Sequence, residues 1–408
     1  MKIDRERLWC NLMKLGNVGR TEQGGVTRLS FTKQEKEAKE FLIKLMNQTN
    51  LEIHEDAMGN LYGRKEGIYK NEPVVLIGSH IDTVINGGIF DGAAGVLAGI
   101  EIVQTLNDQG ITTKYPIEIV AFTDEEGTRF SSGMLGSRAV VGDLTLQELK
   151  QNSDHSGKTI AMVMKENGYN EKLIKNAKRS ASEIKAYLEL HIEQGKVLEN
   201  EDIPVGIVSG IAGLTWLKVS LKGELGHAGT TPMPLRKDPL AAMAKIITYC
   251  EEVALQQHHT VITAGNILVN HGGINVIAND VKVIFDIRDL SGENLQLIEK
   301  LIRMYIDKLC VERNIQYDIE ILEHHEPSLC SSYINHNLEI ACNKLNIKPK
   351  YLMSGAAHDA MVMSKITDIG MILVRTKEGV SHHPSEWASK EDIAIGTELL
   401  YNTILQLE

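Results

Sequence analysis

Val74-Val75-Leu76-Ile77-Gly78-Ser79-His80-Ile81-Asp82-Thr83-Val84-Ile85-Asn86-Gly87-Gly88-Ile89-Phe90-Asp91 is the stretch on which the reading of this chain turns. Its first four residues form an apolar run, the pattern of a buried strand. His80 and Asp82 stand two apart, so an extended backbone points both to one side. Asp91 follows after a Gly87-Gly88 turn. Imidazole and carboxylate at a strand end are the beginning of a metal site, with a carboxylate placed to orient the imidazole.

Outward from that strand, the first half alternates strand and helix signals. The spacing predicts a helix over 32–47 and strands over 52–64 around the Met58-Gly59-Asn60 turn. A second helix is expected over 93–109, closed by Gly110, with strands over 117–123 and 186–191. This alternation predicts an α/β domain with helices packed on a central sheet. The character changes near Gly210. Strand 214–223, helix 238–255, strands 260–269 and 280–290, helix 294–313 and strand 315–322 follow in the β-α-β-β-α-β order of a ferredoxin-like domain. One face of its sheet is left without helices, and such a face or edge calls for a partner. After Pro327 the α/β pattern resumes. The expected division is 1–210 and 328–408 for one domain, with 211–327 inserted into it.

Bulk properties narrow the function. The 408 residues exceed one ordinary core and suggest two domains. Lys+Arg total 43 against 54 Asp+Glu, a formal charge of -11, which argues against nucleic acid and anionic membrane surfaces as partners. The N-terminal residues hold no apolar signal core, and no apolar run reaches spanning length. Five scattered cysteines without a Cys-x-x-Cys pair predict reduced thiols in a cytoplasmic protein.

Further metal-competent side chains follow other strands. Glu125-Glu126 caps the apolar run Ile117–Phe122. By itself such a pair is a solvated acidic loop. At the carboxyl end of a buried strand, one carboxylate can hold a metal while its neighbour acts as general base. His191 ends another strand. Ser381-His382-His383-Pro384 offers two imidazoles, and spacing does not choose between them. The set suits two metals about 3.5–4 Å apart that share a carboxylate.

These motifs, taken in order, resemble the M20 metallopeptidase-like amidohydrolases. Within them the chain is most similar to the N-carbamoyl-L-amino acid hydrolases, kin of allantoate amidohydrolase and β-ureidopropionase. The resemblance spans nearly the whole chain. It rests on Gly25-Val26-Thr27-Arg28-Leu29, Gly78-Ser79-His80-Ile81-Asp82, Phe90-Asp91-Gly92 and Thr123-Asp124-Glu125-Glu126-Gly127. Leu190-His191-Ile192-Glu193-Gln194-Gly195, His227-Ala228-Gly229-Thr230-Thr231-Pro232-Met233, Ser354-Gly355-Ala356-Ala357-His358-Asp359 and Gly379-Val380-Ser381-His382 complete it.

The resemblance implies a zinc-exopeptidase-like mixed sheet with helices on both faces, and an inserted ferredoxin-like lid that builds a homodimer. It implies two divalent ions, held by His80, Asp91 as bridge, Glu126, His191 and His382. Zinc suits the mixed N/O donors, as do manganese, cobalt or nickel. Asp82 takes the position that orients His80, and Glu125 that of the general base. His227 takes the position of an oxyanion donor reaching the partner subunit's site. Gln194, Asn275, Arg288, Gly355 and Ala356 take substrate-binding positions. Arg288 is suited to gripping a substrate carboxylate, and its bland alternative is a strand-end ion pair with Asp286 or Asp289. The implied substrate is a small ureido compound bearing a carboxylate.

Leu214 stands where allantoate enzymes tend to place glutamine, and an apolar side chain cannot hydrogen-bond a second ureido group. Ala357 also fits the carbamoylase form. The expectation is therefore an N-carbamoyl-L-amino acid hydrolase. Allantoate, β-ureidopropionate or N-acyl amino acid hydrolysis, or a silent metal-binding scaffold, are the alternatives.

Overall fold

The structure, a computed structural model, describes residues 3–407. It divides into two compact units, Met1–Ser209 with Cys330–Glu408, and Gly210–Leu329. The divisions fall one and two residues from those read in the sequence.

In chain order the strands used below are β1 Glu52–Glu55, β2 Leu61–Lys65, β3 Val74–His80, β4 Ile117–Phe122, β5 Ile184–Ile192 and β6 Val205–Ile211. Then come β7 Gly213–Lys222, β8 Gly226–His227, β9 Val261–Asn270, β10 Val276–Ile277, β11 Asp280–Asp289 and β12 Gln316–His325. Last are β13 Tyr351–Ser354 and β14 Asp368–Val374.

In the first unit the sheet runs β1-β2-β4-β3-β5-β14-β6, with β13 beside β6. It is mixed. β3 pairs in parallel with β4 and β5, and β5 in parallel with β14. β2–β4 and β14–β6 are antiparallel. Every residue of β3 and β4 is buried, as expected for central strands covered on both faces. Helices Arg5–Leu15, Lys33–Gln48, Ala93–Asp108 and Lys390–Ile404 share one core with sheet residues such as Val75, Ile77 and Ile119. Each fully buried large side chain there contributes about 1.5–3 kcal/mol. The helix read over 32–47 begins at Lys33, because the Thr32 hydroxyl caps Glu35 N–H. A separate cluster packs helices Leu135–Val141 and Ile160–Glu166 with Met58 and Phe130.

The parallel pairing has one consequence for chemistry. β3, β4, β5 and β14 all end at the same edge of the sheet. His80 lies opposite Phe122, and Val374 opposite Ile192. The loops that follow these strands therefore meet at the carboxyl edge, where ligands of such sheets bind.

The second unit has the β-α-β-β-α-β order, and its sheet runs β12-β7-β11-β9 with every pair antiparallel. Leu217, Val219, Leu221, Val283, Phe285 and Ile287 face helices Pro239–Leu255 and Gly292–Arg313. On the opposite face Trp216 and Ile284 are exposed, and edge strand β9 exposes Ile267, Leu268 and Val269. The elements match those read from the sequence to within a few residues. The largest difference is β12, which runs on to His325 because its pairing with β7 continues past a register shift at Ile321/Glu323.

Candidate metal centre

Asp91 is the hub of the site. Its Oδ1 lies 3.1 Å from His191 Nε2 and 3.4 Å from His80 Nε2. Its Oδ2 lies 3.3 Å from His382 Nε2, which is 3.5 Å from Glu126 Oε2. Two three-residue groups result, His80–Asp91–His191 and Asp91–Glu126–His382, each with its donor atoms within 4.8 Å of one another. They join at the Asp91 carboxylate. His80, Asp91 and His191 are buried, while the His382 side chain is about half exposed, so the centre opens to solvent on that side.

The local backbone explains the convergence. His80 and His191 come from the ends of β3 and β5. Asp91 precedes Gly92, whose φ of 61° opens helix Ala93–Asp108, and a Cβ there would strike the His80 ring. Asp124, Gln194 and His382 also have left-handed φ, at 58°, 57° and 56°. Such strain gathers at functional sites, where surrounding contacts must hold it.

Glu125 stands beside His80 and belongs to neither group. Its Oε2 is 3.7 Å from His80 Nε2. Asp82 meets His80 through both its backbone carbonyl and its carboxylate. His80 Nδ1 bonds the Asp82 backbone carbonyl at 3.1 Å, whereas the nearer carboxylate oxygen is 3.6 Å away. That carboxylate also accepts the backbone N–H groups of Glu125 and Glu126, each at 3.1 Å. Two N–H donors from the Glu125-Glu126 turn satisfy the buried carboxylate, so it orients the acidic pair and its carbonyl orients the imidazole.

The electrostatics follow from burial and crowding. Burial alone would lower the His80 imidazole, but Glu125, Asp82 and Asp91 outweigh it and raise it well above its usual range. Burial opposes ionisation of Asp91, yet His191, His382 and His80 pull it well below the usual carboxylate range. Burial and then Asp91 push Glu126 up to about 7. Burial, with Asp359 and Glu126 nearby, pushes Glu125 well up. The hydrogen bond to Asp91 raises His382 to about 9.

The donor set fits divalent metal ions. Imidazole nitrogens and carboxylate oxygens are the donors such ions take. Glu126 Oε1 is buried without a hydrogen-bond partner, a costly arrangement that a cation would relieve. A third cluster, Glu189–His191–His358, does not fit in the same way. Both Glu189 oxygens already accept hydrogen bonds, from Ser79 Oγ, Tyr187 OH and Ala360 N–H. His358 Nε2 bonds Ser354 Oγ at 2.8 Å, and its ring packs 4.4 Å from that of His191. This cluster is a hydrogen-bonded layer behind the centre.

The remaining residues read from the sequence lie as follows. Gln194 Nε2 donates to Asp91 Oδ2 at 2.8 Å. Ser354 Oγ donates to the Ala356 carbonyl, and Gly355 beside it is exposed. His383 Nδ1 bonds Ser385 and joins neither metal-competent group. In the second unit, His227 is exposed on β8, opposite Val276 of β10, and Ala228 N–H bonds the Asn275 carbonyl at 2.9 Å. Arg288 makes a two-pronged pair with Asp286, Nε to Oδ1 at 2.7 Å and Nη2 to Oδ2 at 2.8 Å. Trp216 Nε1 donates to the same carboxylate. This is the strand-end ion pair that spacing allowed, because residues two apart on β11 share a face.

Sequence reasoning passed over Ser381 and Glu386. Ser381 Oγ lies 2.9 Å from Asp91 Oδ2 and 2.8 Å from Glu386 Oε2. Glu386 stands in the same short motif as His382, which was the available signal.

Comparison with known proteins identifies the family. The family model described as Peptidase family M20/M25/M40 matches residues 76–406. An N-carbamoyl-L-amino acid amidohydrolase of Geobacillus stearothermophilus is 50% identical over 405 residues, 99% of this chain and 99% of the relative. One from Pseudomonas sp. (strain NS671) is 42% identical, covering 99% of this chain and 98% of the relative. A crystal structure of an amidase of the hydantoinase/carbamoylase family from Burkholderia multivorans superposes with a TM-score of 0.94 at 30% identity, covering 99% and 98% of the two chains. With ordered motifs, sheet topology and full-length similarity in agreement, the chain belongs to peptidase family M20/M25/M40.

Proposed function

We propose that the chain hydrolyses the ureido C–N bond of N-carbamoyl-L-amino acids, giving the L-amino acid, ammonia and carbon dioxide. The observation that carries this reading is the pair of three-residue groups joined at Asp91, with Glu125 beside His80. Full-length similarity to N-carbamoyl-L-amino acid amidohydrolases supports the substrate class. Leu214, without a hydrogen-bonding side chain, favours a single ureido group over the two of allantoate.

His80, Asp91 and His191 would hold one divalent ion, and Asp91, Glu126 and His382 the other. Bound there, such ions polarise a carbonyl and lower the pKa of water. Glu125 takes the proton of the attacking water and delivers it to the leaving nitrogen. Asp82 holds the Glu125-Glu126 turn through its two backbone bonds. Gln194, Gly355 and Ala356 contact the substrate from the first unit.

The second unit acts as lid and dimerisation domain in this reading. Its exposed sheet face and β9 edge support a homodimer. His227 donates to the oxyanion in the partner's site. Asn275 binds the substrate, and Arg288 grips its carboxylate with Asp286 holding the guanidinium plane. Five scattered cysteines without a Cys-x-x-Cys pair support a cytoplasmic setting.

The test is ammonia release from a panel of N-carbamoyl-L-amino acids, allantoate and N-acetyl amino acids, with zinc, manganese, cobalt or nickel supplied. Turnover of N-carbamoyl-L-amino acids above the rest is expected. Preference for allantoate would overturn the substrate assignment, and no turnover with any of them would overturn the reaction.

A further inference from the structure

Glu386 is a buried carboxylate that the proposed reaction does not use. It is 3% exposed, and it bridges two segments from opposite ends of the chain. Its Oε1 accepts the backbone N–H of Phe90 at 2.9 Å and of Asp91 at 3.2 Å. Its Oε2 lies 2.8 Å from Ser381 Oγ, the residue before His382. Ser381 Oγ in turn lies 2.9 Å from Asp91 Oδ2. Glu386 therefore reaches Asp91 twice, through the backbone and through Ser381 onto the carboxylate.

The space around it is built for this contact. A Cβ at Gly88 would run into the Glu386 carboxyl group. Gly88 is not among the residues with positive φ, so its backbone conformation is open to alanine and the close approach of Glu386 is the constraint.

Asp91 must turn Oδ1 to His80 and His191 and Oδ2 to His382. A carboxylate on a loop after two glycines has no intrinsic reason to stop at that angle. We propose that Glu386 is a positioning residue that clamps the 88–91 loop to the 381–386 loop. It thereby sets the Asp91 carboxylate between the two metal positions. The inference rests on the metal reading above. It predicts that loss of Glu386 weakens both positions together, because they share Asp91.

The experiment titrates metal-free wild-type, Glu386→Ala, Glu386→Gln and Gly88→Ala proteins with zinc and with manganese by calorimetry. Equilibrium dialysis counts the ions, and circular dichroism with thermal melts checks the fold. Wild type takes up two ions per chain. Glu386→Ala is expected to stay folded and bind both about 10–100-fold more weakly, the range for outer partners of metal ligands. Glutamine keeps a carbonyl acceptor for the two N–H groups and an N–H donor for Ser381, so Glu386→Gln should bind near wild type. Folded Glu386→Ala protein with wild-type affinity would overturn the inference. So would Glu386→Gln as weak as Glu386→Ala, since charge and not placement would then matter. If Glu386→Ala does not fold, Gly88→Ala decides: weakened binding of both ions supports the clamp, and unchanged binding overturns it. Wild-type protein that takes up no ion would instead overturn the metal reading, and this inference with it.

Discussion

His382 meets Asp91 from the far end of the chain, its Nε2 3.3 Å from Asp91 Oδ2. Two segments remote in sequence thus close one centre. Its neighbour His383 turns to Ser385 instead, with Nδ1 and Oγ 2.7 Å apart. His382→Ala should therefore lose an ion from the Asp91–Glu126 position, while His383→Ala keeps both. Ion counts after dialysis against the metal-free protein's buffer check this. Equal loss in the two variants would refute the choice of His382.

The second prediction isolates proton transfer. Glu125→Gln removes the base but leaves both three-residue groups intact. The variant should keep its metal content and fold and lose activity by at least ~10²-fold. Turnover close to wild type at full metal content would remove Glu125 from the mechanism.

Much of the architecture was legible because it follows from local patterns. The apolar runs of β3 and β4, the helix spacing of Ala93–Asp108 and the β-α-β-β-α-β order all recur in the structure. Candidate donors were legible because they sit at strand ends, and parallel pairing carries them to one edge. What local pattern does not encode is which neighbour a donor finds. Asp82 satisfies two backbone N–H groups of a turn more than forty residues away. Glu386 accepts backbone N–H groups, which carry no side-chain signature at all. Arg288 pairs with Asp286, which spacing allowed, although the resemblance drew attention to a substrate carboxylate.

Arg28 yields a stability prediction. Its guanidinium is fully buried, and burial pushes it down to about 10, so it remains charged at neutral pH. It donates to the carbonyls of Leu15, Val18 and Ile81, the last lying between His80 and Asp82. Arg28→Met would leave three carbonyls without that donor, at about 1–3 kcal/mol for each one left unsatisfied. Relief of the buried charge offsets part of this. A net loss of roughly 2 kcal/mol or more is expected from these competing effects. Denaturant melts of wild type and variant measure it. A variant as stable as wild type would show that relief of the buried charge offsets the three lost hydrogen bonds in full.

The thiols give an independent check on the core. Burial pushes Cys250 and Cys330 up to about 12, and Cys310 and Cys342 up to about 11. All four are buried, and Cys10 is exposed. A thiol reagent at neutral pH should label one cysteine per chain quickly and the other four only on unfolding, because the thiolate is the reactive form. Peptide mapping that finds fast labelling at Cys330 would contradict the burial of that thiol.

The last prediction joins oligomer to mechanism. His227 is exposed on β8 of the second unit, whereas Glu125 belongs to the first. If His227 serves the partner's site, each site of a homodimer draws Glu125 from one chain and His227 from the other. Glu125→Gln and His227→Ala homodimers should each be nearly inactive. A mixed dimer has two unlike sites. One carries both substitutions; the other keeps both Glu125 and His227 intact. Random exchange of equal amounts places half of the dimers in the mixed form, so about a quarter of all sites regain both groups and activity should rise toward a quarter of wild type. Native mass spectrometry of differently tagged chains verifies that exchange has occurred. Mixed dimers that form and stay inactive would mean that His227 serves its own chain or has no part in the reaction.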